Sequence, residues 1–167
     1  MKNAYVLLAL LISFTTFGQK KDFSNIDTLM TTLYEVISGP GEQERDWETF
    51  YDLFHEQALM GPTRKNKEGI TKFNAITPYR YVELSAPQMR NNGFFEEELA
   101  RKTEIFGGVA QVMSAYQFRF KPDGPVIQRG VNSIQLVFRN GRWFITQIFW
   151  QDETEEHPLP DWADKKN

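Results

Sequence analysis

The chain has 167 residues, with 22 acidic against 19 basic side chains, two histidines and no cysteine. The mildly acidic balance excludes a nucleic-acid binder, which needs a basic stripe to meet phosphates. The missing thiols exclude a disulfide scaffold, a thiolate metal site and a lipid-modified cysteine, and the length suits one domain with a real core.

Residues 1 to 18 carry Lys2, an apolar run from Ala4 to Phe14, and Thr16-Phe17-Gly18 before Gln19. This is the layout of a secretory signal peptide, too short for a membrane span, with an uncleaved anchor as the alternative. The expected organisation is a leader over 1–18, an α+β domain over 19–151 and an acidic, proline-broken tail over 152–167, in a periplasmic or secreted protein. Ser24 followed by Asp27 resembles a capping box, and Ile26, Leu29, Met30, Leu33 and Ile37 follow at helical spacing until Gly39-Pro40-Gly41. Asp46 is placed to cap a second helix with Trp47, Phe50, Tyr51 and Phe54 on one face, and His55 comes directly after. From Ala58 to Ile76 the pattern suggests a short strand through Leu59 and Met60, a basic loop, and a second short strand between Ile70 and Ala75. Thr77-Pro78 starts a third helix, since proline at the first helical position loses no needed hydrogen bond. It is expected to run to about Asn91, with Tyr79, Val82, Ala86 and Met89 inward.

From Phe94 to Trp150 the chain reads as a four-stranded antiparallel meander. Asn140-Gly141 suits a type I′ turn, which pairs Phe138 with Trp143, Leu136 with Ile145, Ile134 with Gln147 and Asn132 with Phe149. Gly107-Gly108 pairs Phe106 with Val109, placing Glu97, Leu99, Arg101, Thr103 and Ile105 on the face of Ala110, Val112, Ser114, Tyr116 and Phe118. Phe120 opposite Val126 then sets Ser114 beside Asn132. The inner face so defined is apolar except for Glu97, Arg101, Ser114, Tyr116, Asn132 and Gln147. The outer face is wet at the first hairpin, where Glu96 lies opposite Arg119. It becomes apolar at Val131, Val137, Phe144, Ile148 and Trp150, an exposed patch of the kind that marks an interface, here of a homodimer.

Helices first and a long meander after them make an α+β fold, a curved sheet wrapped around N-terminal helices. The segments ISGPGEQERDWETFYDLF, NNGFFEEELARKTEIFGGVAQVMSAYQFR and RGVNSIQLVFRNGRWFITQIFW, with the late PLP, resemble the nuclear transport factor 2-like superfamily, in particular its secreted bacterial members. The resemblance implies a cone-shaped fold with a pocket, often a homodimer. Ketosteroid isomerases, scytalone dehydratase, polyketide cyclases and epoxide hydrolases share that fold with many binding modules. None of their acid-base residues can be matched here, and the fold alone does not choose among these activities.

The residues themselves offer little for a metal, because the two histidines lie far apart and only carboxylates remain. There is no G-x-S-x-G and no glycine-rich phosphate loop, so no cofactor is expected. His55 is either a helix-terminal histidine capping carbonyls or a pocket acid-base group. Arg101 must be paired if it faces the core; Glu97 is its structural partner, or Arg101 anchors an anionic or carbonyl-bearing ligand beside Ser114, Tyr116 and Asn132. Asn132 and Gln147 are either a buried hydrogen-bonded pair or pocket groups, and Trp143 and Phe149 are expected as apolar wall. Two functions follow. One is an exported module that binds a small, partly apolar molecule through Arg101, Ser114, Tyr116, Asn132 and Gln147. The alternative is a cofactor-independent lyase, isomerase or hydrolase with Glu97 or His55 as base and Tyr116 as acid. N-terminal sequencing of protein from its native host is expected to begin at Gln19; an intact Met1 on membrane-bound protein would exclude the leader.

Overall fold

A computed structural model describes residues 21–163, so the expected leader over 1–18 lies outside the described residues. The elements run α1 (Ile26–Ile37), α2 (Trp47–Asp52), β1 (Phe54–Lys65), β2 (Thr71–Phe73), α3 (Pro78–Asn92), β3 (Phe95–Phe106), β4 (Val109–Arg119), β5 (Gln128–Arg139) and β6 (Arg142–Asp152). They build one curved, unclosed sheet in the order β2-β1-β6-β5-β4-β3. The expected meander is β3 to β6, all antiparallel, while β1 joins β6 in parallel and makes the sheet mixed.

The helices line the concave face. Asn25, rather than Ser24, caps α1, its side-chain oxygen accepting from the amides of Asp27 and Thr28. The expected stripe from Ile26 to Ile37 is buried, together with Tyr34. Below α1, Arg45 is buried and donates to the carbonyls of Ile37, Gly39, Pro40 and Gln43, tying off the chain where the helix stops. Asp46 caps α2 by accepting from the amide of Thr49 at 2.9 Å. That helix ends at Asp52, two residues before Phe54, so His55 lies in β1 rather than at a helix terminus. In α3 the cap at Thr77 and the proline at the start are as expected, but Tyr79 is exposed and stacks on Tyr51 at 4.3 Å. The inward stripe of α3 is centred on the polar Ser85, with Tyr81, Val82, Gln88 and Met89 around it. At 100° per residue Tyr79 sits about 120° away from that centre.

The turns at Gly107-Gly108 and Asn140-Gly141 form where expected, with Asn140, Gly107 and Gly141 at positive φ. The pairs Phe106–Val109, Arg101–Ser114, Ser114–Asn132, Phe138–Trp143 and Leu136–Ile145 also agree. Two β-bulges then change the faces. Leu99 is extra between Glu98, which pairs with Tyr116, and Ala100, which pairs with Ala115. Thr146 is extra between Ile145, opposite Leu136, and Gln147, opposite Gln135. One inserted residue exchanges the faces of everything beyond it. Glu97 therefore projects from the convex face, where it meets Arg119 and Gln117. Glu96 and Glu98 turn inward. On β6, Gln147 is exposed outside and Phe149 packs on Phe73 at 4.8 Å, whereas Ile148 and Trp150 line the interior. The expected outer patch thus loses Ile148 and Trp150 and keeps Val131, Val137 and Phe144, each half-buried. The C-terminal segment returns to the same convex side, with Lys102 over the ring of Trp162. Among the described residues no helix is long and apolar enough to cross a membrane.

The bulge in β6 is satisfied locally, because the Thr146 hydroxyl donates to the Gln135 carbonyl at 3.0 Å. Thr146→Val, which keeps the bulge, is expected to cost about 1 kcal/mol in urea unfolding. Deleting Thr146 turns Ile148 and Trp150 outward and is expected to cost roughly 3 kcal/mol or more. Equal stability of the deletion variant and the parent would contradict this account of the bulge.

Candidate functional site

The wide end of the cone holds a cavity of about 510 Å³ between α3, β1 and the ends of β4, β5 and β6 beyond the bulges. Its apolar wall comes from Leu33 and Ile37 of α1, Phe50 of α2, Met60 and Pro62 of β1, Met89 of α3, and Phe118, Ile148 and Trp150 of the sheet. The ionisable groups at its surface are Glu96, Asp152, Arg64, Tyr81 and Tyr116.

Glu96 is held from both sides of its backbone. Ser38, the residue that ends α1, accepts from the Glu96 amide and donates to its carbonyl, each at 3.0 Å. Gly39 and Phe94 exchange two further backbone bonds, of 2.7 and 3.0 Å, just before it. The side chain then points into the cavity, on which its remaining accessible surface opens. Burial pushes its carboxyl up to about 8; the charge of Asp152 adds to the shift, and a hydrogen bond from Asn132 opposes it. No ion pair to Glu96 occurs among the described residues.

Tyr116 reaches across the sheet. It lies opposite Gly130 on β5, which in turn lies opposite Asp152 on β6. A Cβ at Gly130 would stand 2.5 Å from the Tyr116 hydroxyl. Only glycine leaves the phenol room to pass over β5 and donate to Asp152 Oδ1 at 2.8 Å. Burial, then the neighbouring Asp152 carboxylate, raises the pKa of Tyr116 strongly, so it remains a proton donor. Arg64 Nε lies 3.4 Å from Asp152 Oδ2 at the cavity mouth, and its side chain is largely exposed.

Behind this floor runs a second polar group with a defined direction. The Ser114 hydroxyl donates to Glu98, so the Tyr34 hydroxyl, 2.6 Å from Ser114 Oγ, donates to it in turn. Tyr34 is then free to accept from Asn132 Nδ2 at 3.1 Å. That orientation presents the other amide hydrogen of Asn132 toward Glu96. Burial raises the pKa of Tyr34 well above the usual phenol value.

Of the expected site residues, Tyr116 and Asn132 line the cavity. Ser114 is fully buried behind it. Arg101 is on the concave face as expected but outside the lining: its guanidinium meets Asp27 at 2.9 Å and Glu98 at 3.3 Å, so Glu98 takes the part expected of Glu97. Trp143 is in the core near the opposite end, its amide donating to the Phe23 carbonyl. Glu97, Gln147 and Phe149 are turned away by the bulges. His55 sits outside the cavity, its Nε2 3.3 Å from Arg139 and its ring edge-on to Phe144. Sequence reasoning missed Glu96, Asp152, Arg64, Tyr34 and Tyr81. The two carboxylates follow from the bulges; a glycine inside β5 was the one sequence signal that a neighbouring ring needed space.

No protein-family model and no curated protein matches the sequence. Similarity appears among solved structures. A nuclear transport factor 2-like protein with a cystatin-like fold from Novosphingobium aromaticivorans is 11% identical, with a TM-score of 0.57 over 78% of this chain and 80% of that one. A protein provisionally assigned as scytalone dehydratase from the same organism is 14% identical, with a TM-score of 0.54 over 77% and 82%. A provisionally assigned calcium/calmodulin-dependent protein kinase II association domain from Xanthomonas campestris is 14% identical, with a TM-score of 0.56 over 78% and 86%. The chain therefore has the nuclear transport factor 2-like fold.

Glu96 makes a distinct contribution to the pH dependence of stability. Below about pH 4.5 its carboxyl is protonated in both the folded and unfolded chain; between 4.5 and about 8 only the folded chain keeps the proton. Ionisation therefore opposes folding, and this component falls by up to about 1.4 kcal/mol per pH unit across that window. Urea unfolding of Glu96→Gln is expected to gain on the parent from pH 4.5 to 8 and to run parallel below it. A constant difference at all pH values would show that Glu96 ionises normally.

Proposed function

We propose that the protein binds a small, partly apolar molecule inside the cone. The observation that carries this is a cavity of about 510 Å³ with apolar walls and, on its floor, a carboxyl that no basic side chain neutralises among the described residues. A pocket of this size, largely apolar with a few convergent polar groups, is the usual form of a small-molecule site. Glu96 and Asn132 are the polar anchors in this reading, and Arg101 and Ser114 support the floor from behind.

A second reading is favoured by Glu96 itself. A carboxyl that exchanges its proton near pH 8 beside the Tyr116–Asp152 pair suits general acid-base chemistry at neutral pH. This is the cofactor-independent lyase, isomerase or hydrolase reading, with Glu96 in the role expected of Glu97 or His55. The two readings part at Glu96→Gln, which retains a bound molecule in both but abolishes turnover only in the second.

The protein is proposed to act after export, in the periplasm or medium, and to assemble as a homodimer through the convex face around Val131, Val137 and Phe144. Support for assembly comes from that half-buried apolar patch and from the likeness to an association domain. Native mass spectrometry of freshly purified protein tests binding and assembly in one measurement. A dimer carrying a small non-protein adduct is expected, with the adduct lost in Ile148→Trp, which fills the cavity. A bare parent protein that also fails to take up any apolar probe would overturn the binding reading, and a monomer at micromolar concentration would overturn the dimer.

A further inference from the structure

We infer that the molecule bound in the cone is a small organic cation, a primary or methylated amine, whose charged nitrogen sits between Glu96 and the aromatic rings of the cavity. This rests on the binding reading above and specifies its ligand class. The sequence led to the opposite expectation, an anion or carbonyl held by Arg101. That arginine lies outside the cavity and is committed to Asp27 and Glu98.

The charges at the cavity surface can be balanced group by group. Arg64 and Asp152 face each other across 3.4 Å at the mouth and offset one another. Glu96 remains as the one carboxyl in the lining without a counter-ion among the described residues. A buried carboxylate needs either a proton or a cation. One positive charge on a guest therefore completes the site, and a second has no place.

The walls suit the same guest. Tyr81 and Trp150 meet edge to face with centroids 6.2 Å apart, and Phe94 stacks on Phe118 at 5.0 Å, all four lining the cavity. Ring faces carry partial negative charge and attract ammonium groups, more strongly when water is excluded. Tyr116 donates to Asp152, so that phenol is engaged within the protein. An anionic guest would compete with Asp152 for Arg64 and, once Glu96 is ionised, meet its repulsion.

The groups that act on Glu96 or feel its charge are Tyr34 of α1, Tyr81 of α3, Tyr116 of β4, Asn132 of β5 and Asp152 of β6, and Arg64 of β1 stands at the mouth of the same cavity. Arg64 is the single cation in that set and is already paired, so an entering ammonium meets no repulsion on the floor. Proton and ammonium compete for the same carboxyl. Amine affinity is expected to fall as pH drops from 8 to 5, while affinity for a neutral analogue stays level.

Three probes of one shape test the inference by calorimetry on the full mature chain: benzylamine, benzyl alcohol and phenylacetate. At pH 8 benzylamine is expected to bind about tenfold more tightly than benzyl alcohol, the scale of one charge-assisted hydrogen bond, with phenylacetate weakest. Glu96→Gln should remove the preference, and Glu97→Gln, on the convex face, should leave it intact. Should Glu96→Gln fail to fold, the pH trend in the parent protein decides. Equal binding of amine and alcohol, tighter binding of phenylacetate, or an amine affinity that does not fall toward pH 5 would overturn the cation while leaving a small-molecule pocket in place. Absence of uptake of all three probes would overturn the cation and the pocket together.

Discussion

Two residues without partners in the strand ladder, Leu99 and Thr146, set the character of the interior. A regular sheet would turn Glu97 inward on β3 and Gln147 and Phe149 inward on β6. With the bulges in place, the inward positions are Glu96 and Glu98 on β3 and Ile148, Trp150 and Asp152 on β6. Both insertions lie between the hairpin turns and the wide end of the cone. Beyond the insertions, at the wide end, the faces of β3 and β6 are exchanged and the cavity opens.

The cavity floor depends on parts of the chain that are distant in sequence. Glu96 is positioned through Ser38 at the end of α1, and Asn132 through Tyr34 in the middle of that helix. Tyr34 is itself oriented by Ser114 and Glu98, with Arg101 and Asp27 beyond. Arg45 ties the end of α1 to the following loop through four carbonyls. Helix α1 is thus both the apolar filling of the narrow end and the frame on which the polar floor is hung. For Glu96, burial outweighs the stabilising hydrogen bond from Asn132, because one neutral donor offsets only part of a carboxylate's lost hydration.

The fold is shared with proteins only 11 to 14% identical to this one. A shared architecture at that distance carries no particular chemistry. The binding proposed for this chain rests instead on Glu96, Asp152, Arg64 and the rings around them.

The helical stripe of α1, the proline start of α3, the two hairpin turns and the α+β class were legible in the sequence, because each rests on local rules: apolar spacing, positive φ at Asn140 and Gly141, and a proline where no amide donor is needed. Pairing close to those turns was legible for the same reason, and so were Tyr116 and Asn132, which lie before β4 and β5 meet any irregularity. The identities of the inward carboxylates were not. A bulge is one extra residue, and neither Leu99 nor Thr146 differs in type from an ordinary strand residue. The insertion is stabilised by contacts that exist only once the sheet has curved around α1: Thr146 bonded to Gln135, Glu98 to Ser114, Ile148 and Trp150 packed inside. Local sequence therefore determined the strands and their turns, and tertiary packing decided which side of each strand faces the cavity.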